Sequence, residues 1–394
     1  MCANAAAFAN DDDDVVAAAV LAAEHYLGLL VHMIDDFNTR RGKSLPGNAP
    51  NKQRNFVSEE RGLMTDYSGV EWIRRSMMRK ALPAVFVFPA LFLTVRTVPC
   101  RPSRTYFQQR LNATVQPLEA STLQKMTAAL RVLAFGVAYD SVSEYVRWSE
   151  STVCKNVHRF AHFVVDKYHP VYLGKPTLPD LQRILSDYEQ AGFPGCMKCV
   201  DCSHCVWKNC PMSLHGQYQG RSLKRSIVMD TVADKDLYLW HLYIGLPGAV
   251  NDLSVMEVSP LFQSTSSGSF SSPISYTGNG VESALPYYLC DGIYPEHPVL
   301  ISTSKGGSEK DKYFPGQHGG RRKDAYMVYG VLYKERQELD KPARLDSVQK
   351  LVEVGTCCAI LHNRIVTHRR EKAHGPEPGT YQLILAACCS VLRV

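Results

Sequence analysis

GFPGCMKCVDCSHCVWKNCP, residues 192–211, opens on a Gly/Pro turn and then reads as a strand from Cys196 to His204 with one acid, Asp201, inside it. Working outward, Ser226–Ala233 and Leu237–Gly245 read as two further strands joined by the tight turn Asp234–Lys235–Asp236. Pro286–Cys290 reads as a fourth after a Ser/Gly-rich loop. Asp201 sits within the first strand, Asp252 follows the third and Asp291 ends the fourth. In a sheet made of a strand, a hairpin and a crossover to a returning strand, the first and fourth strands lie side by side, so acids on them converge. Convergent carboxylates are hard oxygen ligands suited to Mg²⁺ or Mn²⁺, and a pair of such ions activates water and stabilises the leaving oxygen of a phosphodiester. Three aspartates near strand ends are weak evidence by spacing alone, so the surrounding sequence has to carry the argument.

A chain of 394 residues, 45% hydrophobic and 21% charged, buries a sizeable core and suggests two domains. The net charge of +6 is compatible with nucleic-acid binding and equally with none. Met1 is followed by small residues and Asp11–Asp14 where a secretory start needs positive charge, so the thirteen cysteines are expected as reduced thiols. No membrane span is expected: Val15–Ile34 is broken by Glu24, His25 and His32, and Ala81–Val95 is short and carries Pro83 and Pro89. Val15–Ile34 reads as a helix, Thr39–Arg61 as a polar linker, and Met77–Arg101 as poorly ordered.

From Ser121 onward, Leu123, Met126, Leu130, Leu133 and Val137 recur at helical spacing. Asp140–Trp148 gives a second short helix. A third, capped by Ser149 or Ser151, sets Val153, Val157, Phe160 and Val164 on one face, with Lys155, His158 and Arg159 on others. Three short helices with a basic last member fit a helix-turn-helix that touches DNA through Lys155 and Arg159, and equally a bundle packed on the next domain. Helices are also expected over Leu178–Glu189, Arg321–Glu338 and Asp346–Val366, with Pro170, Pro176 and Pro179 marking a linker-like stretch.

Several words occur in one order: the 192–211 run, GQYQG at 216–220, LWHLYIGLPGAVNDLSVMEVSPLF at 239–262, YYLCDGIYP at 287–295 and AILHNRIV at 359–366. LQKMTAALRVLAFGV and DSVSEYVRWSESTV stand upstream. Together they closely resemble PIF/Harbinger transposases of the plant-transposon type over Tyr106–Arg370. That resemblance implies a ribonuclease-H-like mixed sheet flanked by helices, preceded by the helical module, with two aspartates and a glutamate holding Mg²⁺ or Mn²⁺. Asp201 matches the first aspartate and Asp291 the second, and Asp252 matches a further acidic position of the family that lines the same catalytic metal site. It also implies a nuclear DNA endonuclease acting on transposon ends and target DNA, with a Myb-like accessory protein. The oligomeric state stays open.

The family's Arg-Lys-Asp-x-Glu-Arg-x-Phe-Gly helix reads here as Arg322, Lys323, Asp324, Ala325, Tyr326, Met327, Val328, Tyr329, Gly330, so the glutamate position holds Tyr326. A neutral phenol is a poor hard-metal ligand beside a carboxylate. Asp324 lies about 200° around the helix from Tyr326, Glu335 points roughly opposite, and Glu338 is about 18 Å further along the axis. Cleavage is therefore expected to be weakened or lost, leaving either an impaired nuclease or a non-catalytic DNA- or protein-binding descendant, whether a retained gene or a decayed copy.

Cys196, Cys199, Cys202 and Cys205 repeat every third residue and invite a zinc or iron–sulfur reading. On a strand, however, alternate side chains face opposite ways and four sulfurs do not close on one ion. Lys305, Lys310, Lys312, Arg321, Arg322 and Lys323 gather beside the last strand, where they are expected to neutralise DNA phosphates. These readings divide the chain into a poorly defined region 1–105, a helical domain 106–190, a nuclease domain 191–372 and a tail 373–394.

Overall fold

The computed structural model describes Tyr106, Ala120 and residues 122–262, 275–278, 280–283, 285–292, 294, 296–303 and 309–374. The expected helix over Val15–Ile34, the polar stretch Thr39–Arg61 and the segment Leu383–Val394 lie outside these residues. The chain divides into two compact units at Cys100, and the described residues belong to the second.

Three helices come first: α1 (Thr122–Phe135), α2 (Tyr139–Val146) and α3 (Glu150–Tyr172). The Ser149 side chain caps α3 by accepting from the Thr152 amide, and Val153, Val157, Phe160 and Val164 form the buried face that their spacing predicts. Where Pro170 was expected to begin a linker, α3 continues through it. Tyr168 and Tyr172 are buried in that last turn, and their packing offsets the hydrogen bond that proline cannot make. Next, α4 (Leu178–Gln190) begins with a capping box in which Thr177 and Asp180 exchange side-chain and backbone hydrogen bonds.

The sheet starts with β1 (Cys196–Val206), and a short helix α5 (His215–Tyr218) leads to β2 (Ser226–Ala233) and β3 (Leu239–Pro247). After β3 come α6 (Asp252–Val258), a small hairpin of β4 (Tyr276–Gly278) and β5 (Val281–Ser283), then β6 (Tyr287–Leu289) and β7 (Leu300–Ile301). Strand order is β3-β2-β1-β6-β7: β1, β2 and β3 form an antiparallel meander, while β6 and β7 run parallel to β1. The crossover thus returns β6 to the flank of β1, as the chain order predicts. The first three strands match their expected ranges closely. The β4–β5 hairpin falls where only a loop was read, because strands of three residues leave no periodicity to detect.

Three helices close the chain: α7 (Glu309–Glu335), α8 (Gln337–Asp340) and α9 (Val348–His374). The helix α7 starts twelve residues before the expected Arg321, running through Pro315, Gly316, Gly319 and Gly320, residues that signal a break in sequence. Phe314 and His318 explain its persistence: Phe314 packs on Phe193 and His318 bonds the Ile301 carbonyl, so tertiary contacts hold the turn that propensity opposes. Along β3, α9 packs closely enough that a Cβ on Gly355 would meet Ile244 at 2.6 Å. Its Asn363 carboxamide bonds both Leu239 backbone groups and the Tyr172 carbonyl, tying α3, β3 and α9 together.

Candidate functional site: an acidic edge between parallel strands

Alternation along β1 sorts its side chains onto two faces. Val200 and Cys202 join an apolar cluster with Met256, Cys290 and Tyr294. Cys199 and Ser203 turn instead toward α7, with the Cys199 thiol 3.5 Å from the Arg321 carbonyl and the Ser203 hydroxyl 2.6 Å from that of Tyr333. Asp201 lies between these two and shares the α7 face, half-buried. Its backbone is held from the same side: the Tyr329 hydroxyl lies 2.8 Å from the Asp201 carbonyl and 3.0 Å from that of Met229, and accepts from the Thr231 hydroxyl at 2.8 Å. Burial pushes the Tyr329 phenol well above its ordinary pKa, so it serves as a neutral peg between helix and sheet.

On the neighbouring strand, Cys199 pairs with Leu289 in parallel register. The paired register ends at Cys199 and Leu289; Asp201 and Asp291 each follow two residues later on these neighbouring strands. Asp291 lies just past the end of β6 at Leu289, rather than closing the strand as expected. It faces α7, since Arg322 reaches it with Nη1 3.1 Å from Oδ2, the side chains being 31% and 42% exposed. The helix therefore spans the acidic pair, with Arg322 at Asp291 and Tyr329 at Asp201. Tyr326 stands one turn after Arg322 and one turn before Tyr329 on the helical repeat. It is 73% exposed. Position 326, where the resemblance leads one to expect a glutamate, is thus a phenol directed to solvent.

No neighbouring acid takes its place. Asp324 is buried, and its Oδ2 finds no hydrogen-bond donor among the described residues; burial, reinforced by Asp234 and Asp236 and opposed by Arg321, pushes its carboxyl up to about 6. Glu335 is committed to His362 at 2.9 Å and Arg369 at 2.9 Å, which hold its carboxyl low against its burial. Glu338 is buried on α8, and desolvation raises it to about 7 with Arg344 3.8 Å away. Among the described residues, no three His, Cys, Asp or Glu side chains gather to hold a metal ion.

A family model described as plant transposon protein matches residues 170–373, just over half of the 394 residues. The chain belongs to this plant transposon protein family. No curated protein and no solved structure matches it. The match spans β1, β6 and α7, and so includes every residue of the acidic edge of this plant transposon protein.

In this family member Asp252 opens α6, whose N-cap is Asn251, accepting from the Ser254 amide at 2.8 Å. The carboxyl-terminal ends of β3, β1 and β6 share one edge of the sheet, which puts Asp252 on the side of the acidic pair but beyond β3, two strands from β1. Sequence reasoning missed Asp230, buried in the middle of β2, where it accepts from the Ser259 hydroxyl at 2.8 Å with His241 3.6 Å away. A lone acid inside SIVMDTVA is the signal, because a charge in a fully buried strand must have partners. Asp230 lies on the face opposite α7, with Cys202, and through Ser259 anchors the end of α6.

Of the basic residues, Lys155 and Arg159 are exposed on α3, with the Arg159 guanidinium 4.3 Å above the Tyr106 ring. Lys323 is exposed and Arg321 half-buried on α7; Lys312 closes the first turn of α7, its side chain outside the described residues, and Lys305 also lies outside them. None of the described cysteines forms a disulfide. Cys196 and Cys199 share one buried cluster while Cys202 belongs to the other face, and burial pushes the Cys199 thiol up to about 12, so these sulfurs pack as neutral thiols. No described helix is long and apolar enough to cross a membrane.

Proposed function

We propose that this transposase-related chain is a DNA-binding protein of the PIF/Harbinger type, with a ribonuclease-H-like nuclease domain whose metal-dependent cleavage is impaired at Tyr326. The observation that carries the reading is the parallel pairing of β1 with β6, which brings the strands that bear Asp201 and Asp291 side by side, with Arg322 of α7 on Asp291. Those carboxylates are the ligands of a Mg²⁺ or Mn²⁺ ion, which when bound supplies water activation and neutralises charge at the phosphodiester. The chain's own residues do the rest. Tyr329 fixes the Asp201 backbone, Arg322 holds the Asp291 carboxylate, and Arg321 and Lys323, with Lys312 earlier on α7, draw the DNA backbone to this edge. Asp252, on the same edge of the sheet but two strands from β1, is the further acid of the site on this reading, and Lys155 and Arg159 on α3 extend the DNA contact.

A second reading, a protein that binds DNA and does not cut it, is favoured by the same helix: one oxygen of Asp291 already pairs with a guanidinium, and the third acid is absent. The nucleus is the compartment in which either form meets its DNA, and the resemblance adds a Myb-like partner for entry and docking. Nicking of supercoiled plasmid in Mn²⁺ separates the two. The impaired nuclease gives slow nicking that Asp201→Ala abolishes and that Tyr326→Glu raises on the order of a hundredfold, the size of a missing transition-state electrostatic contact. DNA binding with no nicking in the natural chain or in Tyr326→Glu leaves only the second reading.

A further inference from the structure

At the amino-terminal ends of β1 and β6, the other end of these strands from Asp201 and Asp291, the amino-terminal part of α7, the segment after α4 and the β4–β5 hairpin enclose a groove of about 910 Å³. Its walls are aromatic: Phe193, Tyr276, Tyr287, Tyr313 and Phe314 line it, together with the amide of Gln317. The rings form two supported pairs. Phe193 and Phe314 lie with centroids 6.2 Å apart, and Tyr276 meets Tyr287 edge-on at 6.3 Å. Tyr276 is seated on Gly195, whose φ of +81° and lack of a side chain make room, since a Cβ there would strike the Tyr276 ring. Tyr313 at the mouth is 70% exposed. A ring that large left open to solvent beside four others forms a ready stacking surface.

We propose that this groove seats an unpaired nucleobase of the DNA strand that reaches the acidic edge. Flat rings with a neutral amide suit a base, which offers π-faces and a hydrogen-bonding rim. None of the lining residues is acidic, and along α7 come Arg321, Arg322 and Lys323, ahead of the buried Asp324, a positive run complementary to a phosphodiester chain. The distances agree. From Phe314 to Arg322 is eight residues of helix, about 12 Å, and from Tyr287 to Asp291 is four residues of extended chain, about 13 Å. A strand stacked at about 3.4 Å per nucleotide covers that span in about four nucleotides. The proposal rests on the DNA reading above for the identity of its ligand, and it adds a preference for unpaired ends over closed duplex.

The test uses the full chain, a short single-stranded oligodeoxynucleotide and a blunt duplex of the same sequence, followed by fluorescence anisotropy at one salt concentration. The natural chain is expected to bind the single strand more tightly than the duplex. Tyr313→Ala should weaken single-strand binding roughly tenfold, the loss of one stacked base, leave duplex binding within about twofold, and be restored by Tyr313→Phe. Unchanged single-strand binding in Tyr313→Ala, or an equal loss on both DNAs, overturns the inference while duplex binding keeps the DNA reading intact. Absence of binding to either DNA overturns both.

Discussion

At the residue scale, the site is defined by which carboxylates are already satisfied. Asp291 has Arg322, Glu335 has His362 and Arg369, and Asp324 has burial without a donor on Oδ2. Asp324 therefore works against folding when ionised. Its folded value of about 6 lies above its ordinary 3.8, so the folded chain binds the proton more tightly, and stability present below about pH 4 is lost as pH rises through about 6. Asp324→Asn should raise stability at pH 7.5 by on the order of 1–2 kcal/mol, with the gain vanishing near pH 4; urea unfolding at the two pH values measures it, and a destabilised variant at pH 7.5 would count against this account. Asp201, Asp291 and Tyr326 were singled out from the sequence because each sits in a recognisable word. The pairing of Arg322 with Asp291 was not, since nothing in a linear word says which of several cations reaches which acid.

Elements decide how well that edge is held. Helix α7 is fastened to β1 by the Tyr333–Ser203 contact and to both β1 and β2 by the Tyr329 hydroxyl, which serves two carbonyls and the Thr231 hydroxyl in a buried position. Tyr329→Phe should cost about 1–3 kcal/mol, because it leaves buried polar groups without their partner, and should lower Mn²⁺ affinity by loosening the Asp201 backbone. Chemical denaturation reads the first effect. A variant of unchanged stability would mean that α7 is fastened elsewhere. The long strands β1, β2 and β3 were readable because eight or more residues give alternation or a buried run between turn signals. By contrast, the start of α7 was hidden by Pro315 and three glycines, where packing on Phe193 and Ile301 overrides local propensity.

Across the whole molecule, the mixed sheet order β3-β2-β1-β6-β7 brings residues ninety positions apart into register, and no local signal records that. Chain order and the crossover rule supplied it, which is why the pairing of the first and fourth expected strands could be anticipated while the short partner β7 could not. With a net charge of only +6, the DNA affinity proposed above would depend on where cations cluster rather than on the total. Replacing Arg321 and Lys323 together by alanine should lower the slope of log affinity against log salt by about two, uniformly across DNA sequences, as two lost phosphate contacts require. A slope equal to that of the natural chain would move the DNA elsewhere. The most direct measurement of the central claim, that two carboxylates face each other and a third is missing at position 326, is Mn²⁺ binding followed by electron paramagnetic resonance. Tyr326→Glu should bind the ion about tenfold or more tightly than the natural chain, with Asp201→Asn abolishing the gain; equal binding in the two chains, or a gain that survives Asp201→Asn, would contradict it.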